Sequence, residues 1–490
     1  MTAMQGYVRA RTRVGKVGFS TKVFQGIGAL PDTFKAFAFG TLLLFYYNQV
    51  LGLPAFVASS AIAAALIIDA AVDPLVGSIS DNLHSRLGRR HPFMYLSAAP
   101  LALGLFLAFM PPAHLSQGAL TLWLFGSVVA THVSMSLFSV PWTALYAEFS
   151  DDYAERTAIV TYRYALGWIG GLAFTFLSWT LIFPSSPRFA SGQLNPEAYR
   201  LFAPVVACCV LVTVLATTHL TRREIPYLLQ PAARPPPFSF GRVVREILAA
   251  CSNPEFLVLF VAALVSSGIS GTTDALAIYI QTYFWGLHPE QLRWLGLAIF
   301  GAIAAFAAVG SIERLLDKKQ VLLTCFALLL IDYMGIIGLR LAGLMPANGE
   351  RLLLVILVAN EIVRAFLLTV LLIMFASMLA DTLDLQELRT GRRQEGIFAA
   401  ALAFSGKATS GVGAFMAGLL LQHVIHWPAK AAAATDPALV TRLAVVGGLL
   451  APTLFVIPFL LAARYSITRE SHAETKAALD ARRAAAGLPA

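Results

Sequence analysis

Twelve runs of apolar residues, each long enough to cross a bilayer, constrain this chain more than any other feature. A helical span needs about 20 apolar residues, and in hydrocarbon the helix satisfies its own backbone polar groups. The runs fall at 27–50, 55–80, 93–112, 118–147, 158–182, 200–219, 255–284, 292–312, 321–344, 352–380, 396–426 and 438–464. Of the 490 residues 58% are hydrophobic and only 13% charged, with a mean hydropathy of +0.71. A soluble domain carries about a quarter charged residues. The expectation is an all-α integral membrane protein of twelve transmembrane helices. The net charge of +9 then reads as loop charge facing a lipid bilayer, with no nucleic acid as partner.

The distribution of basic residues orients the chain. Arg9, Arg11, Arg13, Lys16 and Lys22 precede the first run, and Arg86, Arg89 and Arg90 follow the second. Arg222, Arg223, Arg234, Arg242 and Arg245 follow the sixth, and Arg389, Arg392 and Arg393 the tenth. Cations are sparser in the alternate loops, so both termini are expected in the cytoplasm and the protein in the plasma (inner) membrane. The basic N-terminus lacks a short apolar region with a cleavage site and reads as an arm, not a signal peptide. The four cysteines have no metal-ligand spacing and receive no role.

The longest proline-rich polar segment, TRREIPYLLQPAARPPPFSFGRVVRE at 221–246, follows the sixth run. The expected organisation is an N-terminal arm (1–26), a six-helix bundle (27–220), a cytoplasmic linker (221–250), a second six-helix bundle (251–465) and a cytoplasmic tail (466–490). The halves look like repeats. LLLFYYNQVLGLPA (42–55) and LAIYIQTYFWGLHPE (276–290) each place an aromatic cluster before Gly-Leu and a proline.

Ionisable residues inside apolar runs are functional candidates, because a charge at mid-bilayer costs roughly 2.5 kcal/mol or more. They are Lys35, Asp69, Asp73, His132, Arg163, Asp274, Asp332, Glu361, Arg364 and Lys407. Asp69 and Asp73 are i and i+4, hence on one helix face. Like charges one turn apart need a cation or a shared proton. They are read as a cation site, with Lys407 as counter-charge on a helix rich in small residues. Arg163 is read as a gate or substrate contact. Asp332 and the Glu361/Arg364 pair are expected near span ends, stabilised by snorkelling or an i,i+3 ion pair. His132 is expected to be a packing residue. The hairpin carrying Asp81, Arg86, Arg89 and Arg90 is expected to close the cytoplasmic face by ion pairs. The segment 381–396, which includes Arg392 and Arg393, is expected to act in the same way.

At FYYNQVLGL, DAAVDPLVGSISD with RLGRR, VPWTAL with ERT and YR, and MLADTLDLQELRTGRRQEG, the chain resembles the glycoside–pentoside–hexuronide:cation symporters of the major facilitator superfamily. The resemblance spans nearly the whole chain. It implies two six-helix bundles meeting at a midplane site. It also implies a cation site at Asp69, Asp73 and Ser136, with roles for Lys407 and Arg163. The chain departs from the family pattern at named places. An asparagine expected between the acids reads Val72, which makes protons as plausible as sodium. Sugar-binding carboxylates expected in the first and fourth helices read Thr33 and Ser139, with Asp32 beside the first. Tryptophans expected to pack on the sugar read Thr143 and Leu372, with Trp142 one place away. The animal lysolipid symporters share the helix-2 and helix-11 features.

These readings converge on a secondary transporter coupling Na⁺ or H⁺ to symport of a small solute, most simply a sugar or glycoside, by alternating access. A lysolipid-like substrate and a proton-driven exporter are the alternatives. Substrate contacts are expected from Lys407, Arg163, Asp32, Lys35, Ser139, Trp142 and Asp274. No nucleophile–base pair, metal cluster or nucleotide loop appears in the polar segments, which argues against an enzyme or a primary pump. No cofactor beyond the coupling ion is expected, and the chain is expected to act as a monomer.

Overall fold

The computed structural model describes residues 7–9, 15–83, 85–150, 152–231, 253–390, 411–430 and 436–485. Among these residues eleven helices are long and apolar enough to cross a membrane. They are α1 (Phe19–Val50), α2 (Ala55–Asn82), α3 (His91–Phe109), α4 (Gln117–Phe149), α5 (Ala154–Ile182), α6 (Pro196–Tyr227), α7 (Pro254–Phe284), α8 (Pro289–Leu315), α9 (Lys318–Leu341), α10 (Arg351–Leu388) and, after the shorter apolar α11 (Gly411–Ile425), α12 (Pro437–Ala463). The run expected at 396–426 is described only from Gly411 onward, as α11. A polar helix, α13 (Arg469–Ala485), closes the chain. The protein is a multi-pass, all-α membrane protein. Leucine and isoleucine stay on its outer faces, as at Ile67, Leu122, Ile169 and Leu181, all more than 60% exposed. Acyl chains, as apolar as leucine, suit such faces.

Most helix starts follow from local sequence. Asp152, Asn195, Asn253 and Asp436 accept backbone N–H bonds at the starts of α5, α6, α7 and α12, the usual work of an N-cap. α1 is the exception, beginning at Phe19 instead of residue 27. Its first turns are polar, so a count of apolar residues passes over them. Other helices satisfy those polar groups: Thr21 donates to Glu224 at 2.6 Å, and Lys22 pairs with Glu155 at 2.9 Å. Ahead of α1, the strand β1 (Tyr7–Arg9) pairs antiparallel with β2 (Leu229–Pro231).

The chain divides into two compact units. Unit 1 comprises Met1–Phe238, His288–Arg293 and Trp427–Ala434; unit 2 comprises Ser239–Leu287, Trp294–His426 and Thr435–Ala490. Their internal helix pairings correspond. In unit 1, α2 packs on α4, α3 on α4 and α6, and α1 on α6 and α5. In unit 2, α8 packs on α10, α9 on α10 and α12, and α7 on α12. Raising each helix number by six converts the first set into the second. The α1–α5 pairing has its counterpart in Gly413 of α11, where a Cβ would strike the backbone of Gly271 in α7.

The repeat extends to the details of a helix end. α1 and α7 both finish in a π-helical turn, at Tyr46–Val50 and Ile280–Phe284. Leu51 N–H donates to Tyr46 O (3.0 Å) and Leu53 N–H to Tyr47 O (2.8 Å). Trp285 and Leu287 donate in the same register to Ile280 (3.0 Å) and Gln281 (2.9 Å). Such a cap turns on one left-handed residue. Gly52 (φ +84°) and Gly286 (φ +60°) occupy that position, the Gly-Leu pairs visible in the two sequence segments.

Candidate functional site

The packing of α2 on α4 sets Ser136 against both acids of α2. Its Oγ lies 2.9 Å from Asp69 Oδ1 and 2.5 Å from Asp73 Oδ1. Asp69 is 5% exposed and Ser136 3%. A serine hydroxyl has one hydrogen to donate. Two carboxylate oxygens at hydrogen-bond distance from that single oxygen are both satisfied when one carboxyl is protonated and donates back. One turn before Ser136, the buried His132 places Nδ1 3.5 Å from Asp69 Oδ2, an ion pair whenever the imidazole is protonated. Its ring centre lies 5.7 Å from that of Phe39.

His132 thus faces the acids, where the sequence reading made it a packing residue. Residues 132 and 136 stand i, i+4 on α4, as 69 and 73 do on α2, a match that carries meaning only once α4 is seen to pack on α2. A hard alkali cation seeks a shell of oxygens. Val72 has no side-chain oxygen, and His132 offers nitrogen.

Lys35 pairs with Asp32 on its own helix at 3.3 Å. Trp142 Nε1 donates to Gln25 O (2.9 Å), and Gln25 Nε2 donates to Trp142 O (2.8 Å), which pins α4 to α1. This approach needs Gly28, since a Cβ there would overlap the indole. The Arg163 guanidinium lies 4.1 Å from the Trp142 ring centre and 5.2 Å from that of Tyr146, a cation–π arrangement. At 6% exposure, Trp142 has little face left to stack on a sugar. Its contacts carry Arg163 instead. Ser139 is half-buried on α4, between Ser136 and Trp142. Lys407, Arg392 and Arg393 lie outside the described residues.

The hairpin after α2 is braced inside unit 1. Arg89 donates to Glu148 of α4 at 2.6 Å and reaches Asp81 at 3.4 Å. Arg90 meets Asp81 at 2.7 Å, Glu148 at 3.3 Å and Ser80 Oγ at 2.9 Å. Arg86 is exposed. Sequence reasoning passed over Glu148, although two buried arginines demand an acid nearby. Unit 2 repeats the brace: Lys318, at the start of α9, meets Asp381 of α10 at 2.7 Å. His472 of α13 lies 3.2 Å from Asp384.

The unit 2 acids lie well inside α9 and α10, not at span ends. Arg364 does pair with Glu361 at i,i+3 (2.9 Å), but its Nε also donates to Asp332 across helices (2.9 Å). Its Nη2 donates to Asn360 Oδ1 (2.5 Å), Asn360 Nδ2 donates to Asp332 (2.6 Å), and Tyr333 lies under the guanidinium at 4.4 Å. Asp274 of α7 is exposed and interacts electrostatically with both Glu361 and Arg364.

Comparison with known proteins extends this geometry. A family model described as MFS/sugar transport protein matches residues 24–469. The chain is 27% identical to the uncharacterized symporter YnaJ of Bacillus subtilis, covering 83% of this chain and 84% of that protein. It is 24% identical to the isoprimeverose transporter of Lactiplantibacillus pentosus, covering 78% and 75% respectively. A crystal structure of the nucleoside transporter NupG superposes with a TM-score of 0.63 at 13% identity, covering 92% of this chain and all of that one. That likeness concerns the fold alone.

Proposed function

The chain belongs to the MFS/sugar transport protein family, and on that premise we propose that it is a proton-coupled symporter of a small sugar or glycoside working by alternating access. The observation that carries the choice of ion is Ser136, one hydroxyl held between two carboxylates. In this reading Asp69 and Asp73 share the transported proton, Ser136 bridges them, and His132 steadies Asp69 when it is ionised. Lys407 is the counter-charge that the proton displaces. Two ionised carboxylates one turn apart repel by about 1 kcal/mol in water and by several at the effective dielectric of a protein. Protonation relieves that repulsion. Coupling requires that the proton and the sugar favour the same conformational change.

Both termini are assigned to the cytoplasm, and the protein to the plasma (inner) membrane. The brace of Asp81, Arg89, Arg90 and Glu148 then belongs to the cytoplasmic side, where it keeps α2, α3 and α4 moving as one piece.

The test is sugar uptake into proteoliposomes under an imposed proton or sodium gradient, with isoprimeverose among the sugars offered and Asp73→Asn as control. A proton gradient should drive accumulation in sodium-free buffer, and the variant should accumulate nothing. Accumulation driven by sodium alone, or an unimpaired variant, would contradict the proposal.

A further inference from the structure

Within unit 2, residues of α7, α8, α9, α10 and α12 line a cavity of about 60 Å³ that no part of the ion site uses. Its walls include Gln281 and Trp285 near the end of α7, Tyr333 of α9, and Asn360, Glu361 and Arg364 of α10. We propose that this cavity is a subsite for one edge of a neutral sugar, an inference that rests on the sugar-transport reading above.

Three features point there. First, the wall chemistry matches a sugar's edge. A carboxylate accepts from hydroxyls, and a carboxamide offers both a donor and an acceptor. Glu361 and Gln281 with Asn360 supply both.

Second, the carboxylate is fixed and half free. Arg364 spends its guanidinium on Asp332, Glu361 and Asn360, so it positions its neighbours and does not reach for an anion. Glu361 accepts that bond on Oε1 and keeps 26% of its side chain exposed. Its Oε2 has no partner among the described residues.

Third, the charge is one-sided. Asp332 and Glu361 face one guanidinium, and Asp274 stands beside the wall residue Thr273. A carboxylated or sulfonated sugar would meet that excess of negative charge directly, whereas a neutral polyol would not. The volume of roughly two water molecules admits a hydroxymethyl group with a neighbouring hydroxyl. The subsite also answers the departure seen in the sequence, where the family's sugar-binding carboxylates read Thr33 and Ser139. Glu361 is a carboxylate acceptor of the kind missing at those positions.

The experiment measures KM and Vmax for proton-driven uptake in proteoliposomes. Isoprimeverose, xylose and methyl glucoside serve as neutral probes, and methyl glucuronide as the anionic one. Wild-type protein should take up a neutral probe at least tenfold more efficiently than methyl glucuronide. Glu361→Gln should raise the neutral KM tenfold or more with Vmax changed less than threefold. Gln281→Ala should raise KM severalfold, and it stands outside the Arg364 network should Glu361→Gln fold poorly. Proton-driven uptake with unchanged KM in both variants would overturn the subsite and leave the symport reading intact. So would efficient uptake of methyl glucuronide by the wild type. Wild-type protein that moves none of the four probes under either ion gradient would instead remove the sugar-transport reading, and the subsite with it.

Discussion

Unit 1 and unit 2 are assembled from the same helix pairings, yet they hold their buried acids by opposite means. In unit 1, Asp69 and Asp73 of α2 are bridged by a hydroxyl, and an imidazole approaches Asp69. In unit 2, Asp332 and Glu361 are clasped by the guanidinium of Arg364. α8, the counterpart of α2, carries no acid between Leu292 and Ile312. The difference is chemical. A guanidinium stays charged at any physiological pH, so the unit 2 acids keep a permanent counter-ion and have little use for a mobile one. An imidazole changes charge near neutral pH and a hydroxyl turns to donate or accept, so the unit 1 acids have no permanent counter-ion among these partners. The two units share one scaffold; in the proposed reading, the polar residues placed on it separate the coupling ion from the solute.

The comparison breaks most visibly at Asp73. Asp73→Asn or Asp69→Asn should lower gradient-driven accumulation at least 100-fold, whereas Asp332→Asn should change it less than threefold, as read by uptake in proteoliposomes. Comparable losses in the two units would erase the distinction. Arg364→Leu should have the next largest effect, and on stability. Removing one partner of a buried pair costs about 3–5 kcal/mol, visible as a lower thermal midpoint in detergent. Adding Asp332→Asn should recover much of that loss. His132→Gln should reduce proton-driven accumulation about tenfold and flatten its dependence on pH, with sugar exchange across equal pH less affected. Finally, Gly52→Ala and Gly286→Ala should each cost about 1–2 kcal/mol, the usual penalty for a side chain in the left-handed region. Equal losses would confirm that the two helix ends are one repeated device.

Much of this was legible in the sequence for a physical reason. Lipid forces an apolar run of fixed length, so helix positions were readable wherever the run was unbroken. The start of α1 was not, because Thr21, Lys22 and Gln25 are satisfied by other helices, which spacing along one helix cannot reveal. The same limit hid the best contacts of the sites. Asp69 and Asp73 were conspicuous, but His132 and Glu148 acquire meaning only once α4 is known to lie against α2 and the hairpin after it. Asp332 and Arg364 are 32 residues apart, so the sequence displayed only the weaker i,i+3 pair with Glu361. The Gly-Leu repeat at 52 and 286 was legible because a left-handed cap leaves few choices of residue.

The most direct measurement follows the proton itself. Proteoliposomes loaded with a pH-sensitive dye, in sodium-free buffer, are given a transported neutral sugar on the outside. Lumenal acidification that tracks sugar entry, and its disappearance in Asp69→Asn and Asp73→Asn, is the predicted result. Sugar entry with no change in lumenal pH, or entry only after sodium is supplied, would contradict the assignment of a proton to the Asp69–Ser136–Asp73 triad.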